Sequence, residues 1–503
     1  MSGERKTERA VPLGAVARAV NGRLTGDETL PVADVTHDSR QVRTGSLFAA
    51  IQGANVDAHA FVAQAVAQGA VGVVSERERP ADYGGAWLQV ADARAALAQA
   101  AAEVQGHPSR ELQLVGITGT NGKTTTAHLI AAMAEAAGRK VALLGTVGYR
   151  IGGEMFAAKH TTPEASDVQR FLRRAVEAGC QVGVMECSSQ ALDLHRCDAL
   201  AFTAAVFTNL TQDHLDYHRT MANYFDAKRR LFDGRTGTRP GAAVVNVDDA
   251  YGGELAGDMA RGGGRLLRYA LNAAAEVTAH ELDVRLGGMS FSLRTPAGER
   301  VLRSPLVGTF HVYNILAAVA CGLVLGYELE TMARAVETCA GAPGRFERVA
   351  HAGDFAVVVD YAHTDDALRN VLRTAREVAG RGGRVITVFG CGGDRDRTKR
   401  APMGEAAASL SDVVILTSDN PRTEDPEQIL ADAEVGLRAV GKPYLKFVDR
   451  RAAIHRAVTE ARGGDVVLIA GKGHEDYQII GTETIHFDDK EVAREALAER
   501  GRA

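Results

Sequence analysis

The chain has 503 residues, more than one hydrophobic core usually supports, so about three domains are expected. Its 46% hydrophobic and 24% charged residues are typical of a globular protein, and no apolar run is long enough to span a bilayer. The net charge of −5 is spread without basic runs, so we expect the protein to bind small molecules and not nucleic acid. The charged N-terminus lacks the apolar core of a secretion signal, so we expect a cytoplasmic protein that does not insert into membranes.

Apolar, strand-like runs alternate with alanine-rich, helix-like stretches along almost the whole chain. This alternation predicts the α/β class with mainly parallel sheets. Breaks rich in glycine and proline follow a helix predicted at 93–104 and recur at 340–344. We therefore predict three domains, at 1–108, 109–342 and 343–503.

Polar residues follow the predicted strands of the second domain. Its apolar runs end at three points, Ile117, Met185 and Leu210. The carboxyl ends of parallel strands gather at one edge of a sheet, where ligands bind. Lys123, Glu186 and His214 are therefore expected on one rim. The third domain repeats the arrangement with three predicted strands, at 385–389, 413–417 and 466–470.

A glycine-rich turn joins a strand predicted at 112–117 to a helix predicted at 127–137. Such a turn offers backbone N–H groups to phosphate oxygens, a lysine to the terminal phosphates and hydroxyls to Mg²⁺. The strict Walker spacing would place glycine where Ile117 stands, but strand, loop and helix follow in the expected order. We expect ATP to bind through Gly119, Thr120, Asn121, Gly122, Lys123, Thr124 and Thr125.

This loop resembles the ATP loop of the Mur ligases, cytoplasmic enzymes that add amino acids to the peptidoglycan precursor. Folylpolyglutamate synthases share the fold and a similar loop. Further segments similar to Mur ligases follow in the family's order, at 185–189, 209–216, 224–232, 344–347 and 360–364. The resemblance covers nearly the full length and is closest to the tripeptide synthetases. It implies a small α/β UDP-binding domain, a central P-loop-type ATPase domain and a C-terminal Rossmann-like domain.

The resemblance also implies a phosphoryl-transfer site around the loop. Taken alone, Glu186 would be a strand-end acid and Lys228 a solvated helix residue. In the family the matching lysine adds CO₂ to become a carbamate, which suits Mg²⁺ because it replaces a cation by oxygen ligands. The implied catalytic residues are Lys123, Glu186, His214, Lys228 and Arg345. A pair of Mg²⁺ ions is implied to bind Thr124, Glu186, His214 and the Lys228 carbamate, and ATP to contact also Asn314, Arg345 and Asp360.

Two segments of the first domain, 36–40 and 47–57, resemble the uridine-holding segments of the tripeptide synthetases. Taken alone they are small polar loops that follow strands. The segment 160–163 matches the family's Asn-Thr-Thr-Pro, with histidine in place of asparagine. The resemblance implies that the UDP-linked substrate is held by Ser39, Asn55, His160, Thr161, Thr162, Ser188 and Arg196.

The third domain contains a run, 419–422, whose form accompanies meso-diaminopimelate in this family. Diaminopimelate has a second carboxylate at its far end, and a planar guanidinium pairs with a carboxylate better than an ammonium does. Taken alone, the run would be a turn, and relatives that add lysine or ornithine are not excluded by it. The implied amino-acid site comprises Arg395, Asp419, Asn420, Pro421, Arg422, Gly471 and Glu475.

Together these expectations describe an ATP-dependent ligase that joins meso-diaminopimelate to UDP-MurNAc-L-Ala-D-Glu through an acyl phosphate. Its expected cofactors are ATP, Mg²⁺ and CO₂ held as the carbamate, and we expect a monomer. The alternatives are the same reaction with L-lysine or L-ornithine, a folylpolyglutamate synthase, and an ATP-driven switch without chemistry. An amidating relative of the family carries a four-cysteine zinc ribbon, which six scattered cysteines without a CxxC pair do not provide.

Overall fold

The computed structural model describes residues 10–53, 56–285 and 287–501. These residues form three successive α/β units, so the predicted fold class, α/β with three domains, is confirmed. No helix in the described part of the chain is long and apolar enough to cross a membrane.

The first unit is a small twisted sheet with helices on its faces. Its elements are β1 (Val11–Pro12), α1 (Leu13–Ala19), β2 (Arg23–Thr25), β3 (Pro31–Val32), β4 (Asp34–Thr36), β5 (Ser46–Ala49), α2 (Val62–Ala67), β6 (Gly72–Ser75), β7 (Ala86–Gln89) and α3 (Ala93–Gln105). The sheet has the order β2-β7-β6-β5-β4, with β4 to β7 parallel. The side chain of Asp92 caps the start of α3, and Gly106 ends the helix in the left-handed conformation.

The central unit is the largest. Its elements are β8 (Gln113–Thr118), α4 (Lys123–Ala136), β9 (Val141–Leu144), β10 (Tyr149–Ile151), β11 (Glu154–Phe156), α5 (Ala165–Glu177), β12 (Val182–Glu186), α6 (Ser189–Asp193), β13 (Ala204–Phe207), α7 (Leu215–His218), α8 (Met221–Asp233), β14 (Ala242–Asn246), α9 (Ala250–Arg261), β15 (Leu266–Ala270), β16 (Val277–Arg285), β17 (Gly288–Thr295), β18 (Gly298–Ser304), α10 (Thr309–Val324) and α11 (Leu329–Thr338).

One sheet runs through the whole central unit, in the order β11-β10-β9-β12-β8-β13-β14-β15-β16-β17-β18. The strands from β9 to β16 in this order are parallel, and antiparallel strands extend both ends. Helices α4, α10 and α11 cover one face and α5, α8 and α9 the other. Because both faces are covered, the central strands are nearly continuous apolar runs.

The third unit repeats the parallel arrangement on a smaller scale. Its elements are β19 (Glu347–Arg348), β20 (Ala356–Asp360), α12 (Asp365–Ala379), β21 (Val385–Phe389), α13 (Arg400–Leu410), β22 (Val413–Thr417), α14 (Pro426–Val440), β23 (Leu445–Phe447), α15 (Arg450–Glu460), β24 (Val466–Ala470), β25 (Tyr477–Ile480), β26 (Glu483–His486) and α16 (Asp489–Arg500). The sheet order is β19-β20-β24-β21-β22-β23, and only β19 is antiparallel. The strands β21, β22 and β24 coincide with the three predicted ones.

Specific contacts join the three units. Arg170 of α5 donates to both carboxylate oxygens of Asp34 at 2.8 and 3.0 Å and to the Val35 carbonyl at 3.1 Å. Between the second and third units, the ring of Phe310 packs edge-on against Phe346 at 5.7 Å between centroids. These contacts link the first unit to the second and the second unit to the third.

Candidate active site

The phosphate loop lies between β8 and α4, and two of its glycines have no room for a side chain. Gly119 has φ +147°, and a Cβ there would lie 1.8 Å from Thr208 Oγ1. Gly122 has φ +85°, and a Cβ there would lie 2.3 Å from Asn314 Oδ1. The predicted nucleotide residue Asn314 is therefore placed directly beside the loop. Helix α4 starts at Lys123, four residues before the predicted start, because Gly122 makes the turn.

The segment after β13 braces this loop. Thr208 Oγ1 donates to the Asn121 carbonyl at 2.6 Å, and the Asn121 N–H donates to Asn209 Oδ1 at 2.9 Å. The Thr120 hydroxyl accepts from the Thr211 N–H at 3.0 Å. These cross-links explain why β13 ends at Phe207 and not at Leu210 as predicted, since the next residues bind the loop. The sequence reading missed the bracing by Thr208 and Asn209.

Two lysines point at the same part of the loop. Lys123 Nζ donates to the carbonyls of Gly119 and Thr120 at 2.9 and 2.8 Å, and Lys228 Nζ donates to Gly119 at 2.8 Å. Lys228 is 1% exposed and lies 4.4 Å from the centre of the Tyr224 ring. Burial lowers the pKa of Lys123, and burial together with the charge of Lys123 lowers the pKa of Lys228 well below its usual value. Lys228 is therefore not the solvated helix residue that it would be if taken alone.

Glu186 forms the end of β12 and is buried at the edge of the sheet. Its Oε2 accepts from the Thr124 hydroxyl at 3.0 Å, and its Oε1 accepts from the Thr146 N–H at 2.8 Å. The predicted pair Thr124 and Glu186 is thus in direct contact. Thr125, one residue further along α4, is also buried.

His214 precedes α7 with φ +52° and has about half of its side chain exposed, at 47%. Its Nε2 lies 3.5 Å from Asp213 Oδ2. Burial lowers the pKa of His214, Asp213 opposes this, and the charges of Lys123 and Lys228 lower it further. His214 is therefore within electrostatic range of both lysines. Within the described ranges, no three His, Cys, Asp or Glu side chains are grouped so that they could hold a metal ion by themselves.

The third unit contributes Arg345 and Asp360. Both oxygens of Asp360 accept backbone N–H groups, from Phe346 at 2.7 Å and from Ala362 at 2.8 Å. Burial raises the pKa of the Asp360 carboxyl, which the charge of Arg345 opposes. The guanidinium of Arg345 lies 4.9 Å from the centre of the Tyr361 ring, and its buried Nε has no hydrogen-bond partner among the described residues. Asp360 thus holds the segment that carries Arg345.

The predicted sugar-peptide residues extend from the same strand end. The Thr162 hydroxyl donates to the Glu186 carbonyl at 2.7 Å and accepts from the Ser188 N–H at 3.1 Å. Arg196 donates to the Thr162 carbonyl at 3.2 Å and forms an ion pair of 2.6 Å with Glu164. This part of the predicted substrate site is therefore contiguous with Glu186.

The remaining residues predicted for this substrate lie further out. The hydroxyls of Thr161 and Thr146 form a hydrogen bond of 3.1 Å. His160 is exposed, and its backbone carbonyl accepts a hydrogen bond from the Tyr149 hydroxyl at 2.5 Å. Ser39, in the first unit, is buried with its Oγ 3.5 Å from Gln64 Oε1. Asn55 lies outside the described residues.

The loops after β22 and β24 bring most of the predicted amino-acid residues together. Asn420 Nδ2 donates to Glu475 Oε2 at 3.0 Å, and a Cβ on Gly471 would lie 2.8 Å from Asp419 Oδ2. Arg422, with φ +52°, donates to the Gly393 carbonyl at 2.9 Å. Pro421 lies between them, and its carbonyl accepts from the Glu424 N–H at 3.2 Å.

Two cationic side chains lie on or beside these loops. Arg395 lies on the neighbouring loop, is exposed, and donates to the carbonyl of Asp394 at 3.1 Å. The structure also shows a fully buried lysine, Lys472, whose Nζ donates to Asn420 Oδ1 at 3.0 Å. The amino-acid site predicted from the sequence includes Gly471 and Glu475 of this loop but not Lys472. A lysine between two glycines in a loop gives no sign of burial by itself.

Three family descriptions match successive parts of the chain. They are "Mur ligase family, catalytic domain" at 31–109, "Mur ligase middle domain" at 117–322 and "Mur ligase, glutamate ligase domain" at 344–473.

Individual relatives match over nearly the whole chain. A protein of Synechococcus elongatus named UDP-N-acetylmuramoyl-L-alanyl-D-glutamate--2,6-diaminopimelate ligase is 49% identical across 94% of this chain and 95% of its own length. A protein of Geobacter metallireducens with the same name is 46% identical across 96% of this chain and 98% of its own length. A solved structure with that name is 34% identical, covers 98% of this chain and all of its own, and superposes with a TM-score of 0.73. The chain belongs to the Mur ligase family.

Proposed function

We propose that the chain is an ATP-dependent ligase that joins 2,6-diaminopimelate to the D-glutamate of UDP-MurNAc-L-Ala-D-Glu. The relatives that match over nearly the whole chain carry the name of this reaction. The observation that carries the proposal is the position of Glu186: its carboxylate binds Thr124 of the phosphate loop, and its carbonyl binds Thr162 of the predicted substrate segment. Nucleotide and acceptor carboxylate would therefore meet at one strand end.

In the first half-reaction the γ-carboxylate of the D-glutamate attacks the γ-phosphorus of ATP. A new O–P bond forms, the bond to the β-phosphate oxygen breaks, and ADP leaves with that oxygen. Negative charge spreads over the phosphoryl oxygens during this transfer, so positioned cations stabilise it. Lys123 would supply one positive charge from the loop and Arg345 another from the third unit, where its guanidinium is held against Tyr361.

The residues around the loop fit Mg²⁺ and a lysine carbamate. Glu186 offers a buried carboxylate and Thr124 a hydroxyl in contact with it, which are oxygen ligands of the kind that Mg²⁺ prefers. The lowered pKa of the Lys228 amine favours its neutral form, which addition of CO₂ requires. His214, whose pKa is lowered by the charges of both lysines, would complete the set. When bound, Mg²⁺ would neutralise phosphate charge and orient the γ-phosphate.

In the second half-reaction the amine of diaminopimelate attacks the acyl carbon. A C–N bond forms, phosphate leaves with the electron pair of the C–O bond, and the amine loses a proton. The loops that carry Asn420, Arg422 and Glu475 lie at the carboxyl edge of the third sheet, which is the usual ligand edge of a parallel sheet. Arg422 would bind the distal carboxylate of the amino acid, and Glu475 would bind an ammonium group.

The direct test is phosphate release from ATP with UDP-MurNAc-L-Ala-D-Glu and, in turn, meso-diaminopimelate, L-lysine and L-ornithine. We expect release that needs both the nucleotide-peptide and an amino acid, and that is fastest with diaminopimelate. Release without any amino acid would support an ATP-driven switch, and stimulation by a folate would support a folylpolyglutamate synthase. Either result would overturn the proposal.

A further inference from the structure

A fully buried lysine lies beneath the predicted amino-acid site. Lys472 is 0% exposed, and its Nζ donates to Asn420 Oδ1 at 3.0 Å. The same Nζ lies 3.5 Å from Asp419 Oδ1 and 3.6 Å from Glu475 Oε2. An ammonium group has three N–H donors and no acceptor, and here Asn420 Oδ1 accepts one of them while two carboxylates lie within ion-pair distance. A buried charge is costly unless it is paired in this way.

Lys472 also sets the orientation of the Asn420 side chain. Asn420 Oδ1 accepts from Lys472 Nζ and from the Ile479 N–H, both at 3.0 Å. Because the amide oxygen faces these two donors, Nδ2 is turned toward Glu475 and donates to Oε2 at 3.0 Å. The same oxygen of Glu475 thus accepts a hydrogen bond from Asn420 and lies at ion-pair distance from Lys472.

The charge state of Glu475 depends on this lysine. Burial raises the pKa of the Glu475 carboxyl, Asp419 raises it further, and the charge of Lys472 lowers it. The charged or titratable groups that face Glu475 are Asp419, Lys472, Arg422, Tyr361, Arg450 and Tyr477. If Lys472 lost its charge, two carboxylates would share a partly buried site, where like charges disfavour full ionisation.

We infer that Lys472 is a positioning residue that keeps Glu475 ionised and aimed at the ammonium group of the incoming amino acid. The inference rests on the function proposed above. Lys472 is fully buried, so it acts on the substrate through its partners Asp419, Asn420 and Glu475 and not by direct contact. It therefore governs the affinity for the amino acid and the pH dependence of that affinity. The phosphate loop belongs to another unit, and the polar partners of Lys472 are Asp419, Asn420 and Glu475 and not Arg345, so we expect phosphoryl transfer to be spared.

The test compares Lys472→Gln with the wild-type protein. Glutamine keeps an N–H donor for Asn420 Oδ1 and removes the positive charge, so the variant isolates the charge. Lys472→Arg restores a cation, and Lys442→Gln, at an exposed lysine of the same unit, is the matched control. The KM for meso-diaminopimelate, ATP and the nucleotide-peptide is measured by phosphate release across a series of pH values, together with the thermal midpoint.

We expect Lys472→Gln to raise only the KM for meso-diaminopimelate, with a gap to wild type that widens as the pH falls. Each unit by which the pKa of Glu475 rises gives about a tenfold loss of the ionised form at pH values below it. Lys472→Arg should recover part of the loss, and Lys442→Gln should match wild type.

Four outcomes would overturn the inference while wild type is active: an unchanged KM, an equal rise in all three KM values, no recovery with arginine, or a Lys472→Gln protein that fails to fold. Inactivity of the wild type with diaminopimelate would instead contradict the proposed function.

Discussion

Lys123 and Lys228, which lie more than a hundred residues apart in the chain, donate to the same carbonyl oxygen, that of Gly119, at 2.9 and 2.8 Å. Two ammonium groups at one acceptor repel each other, and the charge of Lys123 adds to burial in lowering the pKa of Lys228. The arrangement favours loss of a proton from the more deeply buried amine. It therefore favours the neutral amine of Lys228, which can add CO₂, whereas a protonated lysine cannot.

Replacing Lys228 by alanine tests that chemistry. We expect Lys228→Ala to lose activity by on the order of 100-fold or more, because an anionic ligand near the phosphates is removed. A short-chain carboxylate in the buffer should restore part of the phosphate release by taking the place of the carbamate. Lys140→Ala, at an exposed lysine that donates to the Ala178 carbonyl, is the control. Full activity of Lys228→Ala would show that no carbamate is needed.

The same lysine makes folding stability depend on pH. Its lowered pKa means that the folded protein binds fewer protons than the unfolded chain up to about pH 10. The contribution of Lys228 to stability therefore rises with pH between the folded and the unfolded pKa.

We expect Lys228→Met to be more stable than wild type at neutral pH, with the difference shrinking toward about pH 10. Thermal midpoints in CO₂-free buffer at several pH values measure this, with Lys140→Met as the control. A difference that does not change with pH would contradict the lowered pKa.

Gly119 tests the space in the phosphate loop. A Cβ at this position would lie 1.8 Å from Thr208 Oγ1, and φ of +147° is strained for any other residue. Gly119→Ala should therefore distort the loop and lower activity by on the order of 100-fold, chiefly by weakening ATP binding. Gly153→Ala is the matched control, because nothing lies within 4 Å of its added Cβ. The ATP affinity of both variants is measured by nucleotide titration. An unchanged affinity in Gly119→Ala would contradict the clash expected at this position.

Replacing Arg422 tests how the enzyme selects its amino-acid substrate. Replacement by lysine keeps the charge but removes the planar pair of donors, so Arg422→Lys should raise the KM for meso-diaminopimelate by about 10–100-fold. The KM for L-lysine, which lacks the distal carboxylate, should change little. Arg381→Lys, at an exposed position of the same unit, serves as the control. An equal change for both amino acids would mean that Arg422 does not read the distal carboxylate.

The strands of the third sheet show what could be predicted from the sequence. The strands predicted at 385–389, 413–417 and 466–470 occur with those bounds. A parallel strand buried on both faces is a continuous apolar run with polar ends, a pattern that is local in the chain. The rim positions of Lys123 and Glu186 followed from the same pattern, because parallel strands place their carboxyl ends together.

Contacts between segments that are far apart in the chain could not be predicted from this local pattern. Strand β13 stops at Phe207 because Thr208 and Asn209 bind a loop almost ninety residues earlier. The side chain of His214 is about half exposed and lies within electrostatic range of two lysines, whereas its sequence position indicated only that it lies on the rim.

The sequence by itself determined the α/β class, the three-unit order and the kinds of residue at each strand end, since these depend on local hydrophobic pattern and on short motifs. Only the tertiary structure decided which lysines are buried: Lys228 against Tyr224 and the Gly119 carbonyl, and Lys472 among Asp419, Asn420 and Glu475. The physical reason is that the pKa of an amine depends on the dielectric and the charges around it, and the groups that surround these two lysines come from segments far away in the chain.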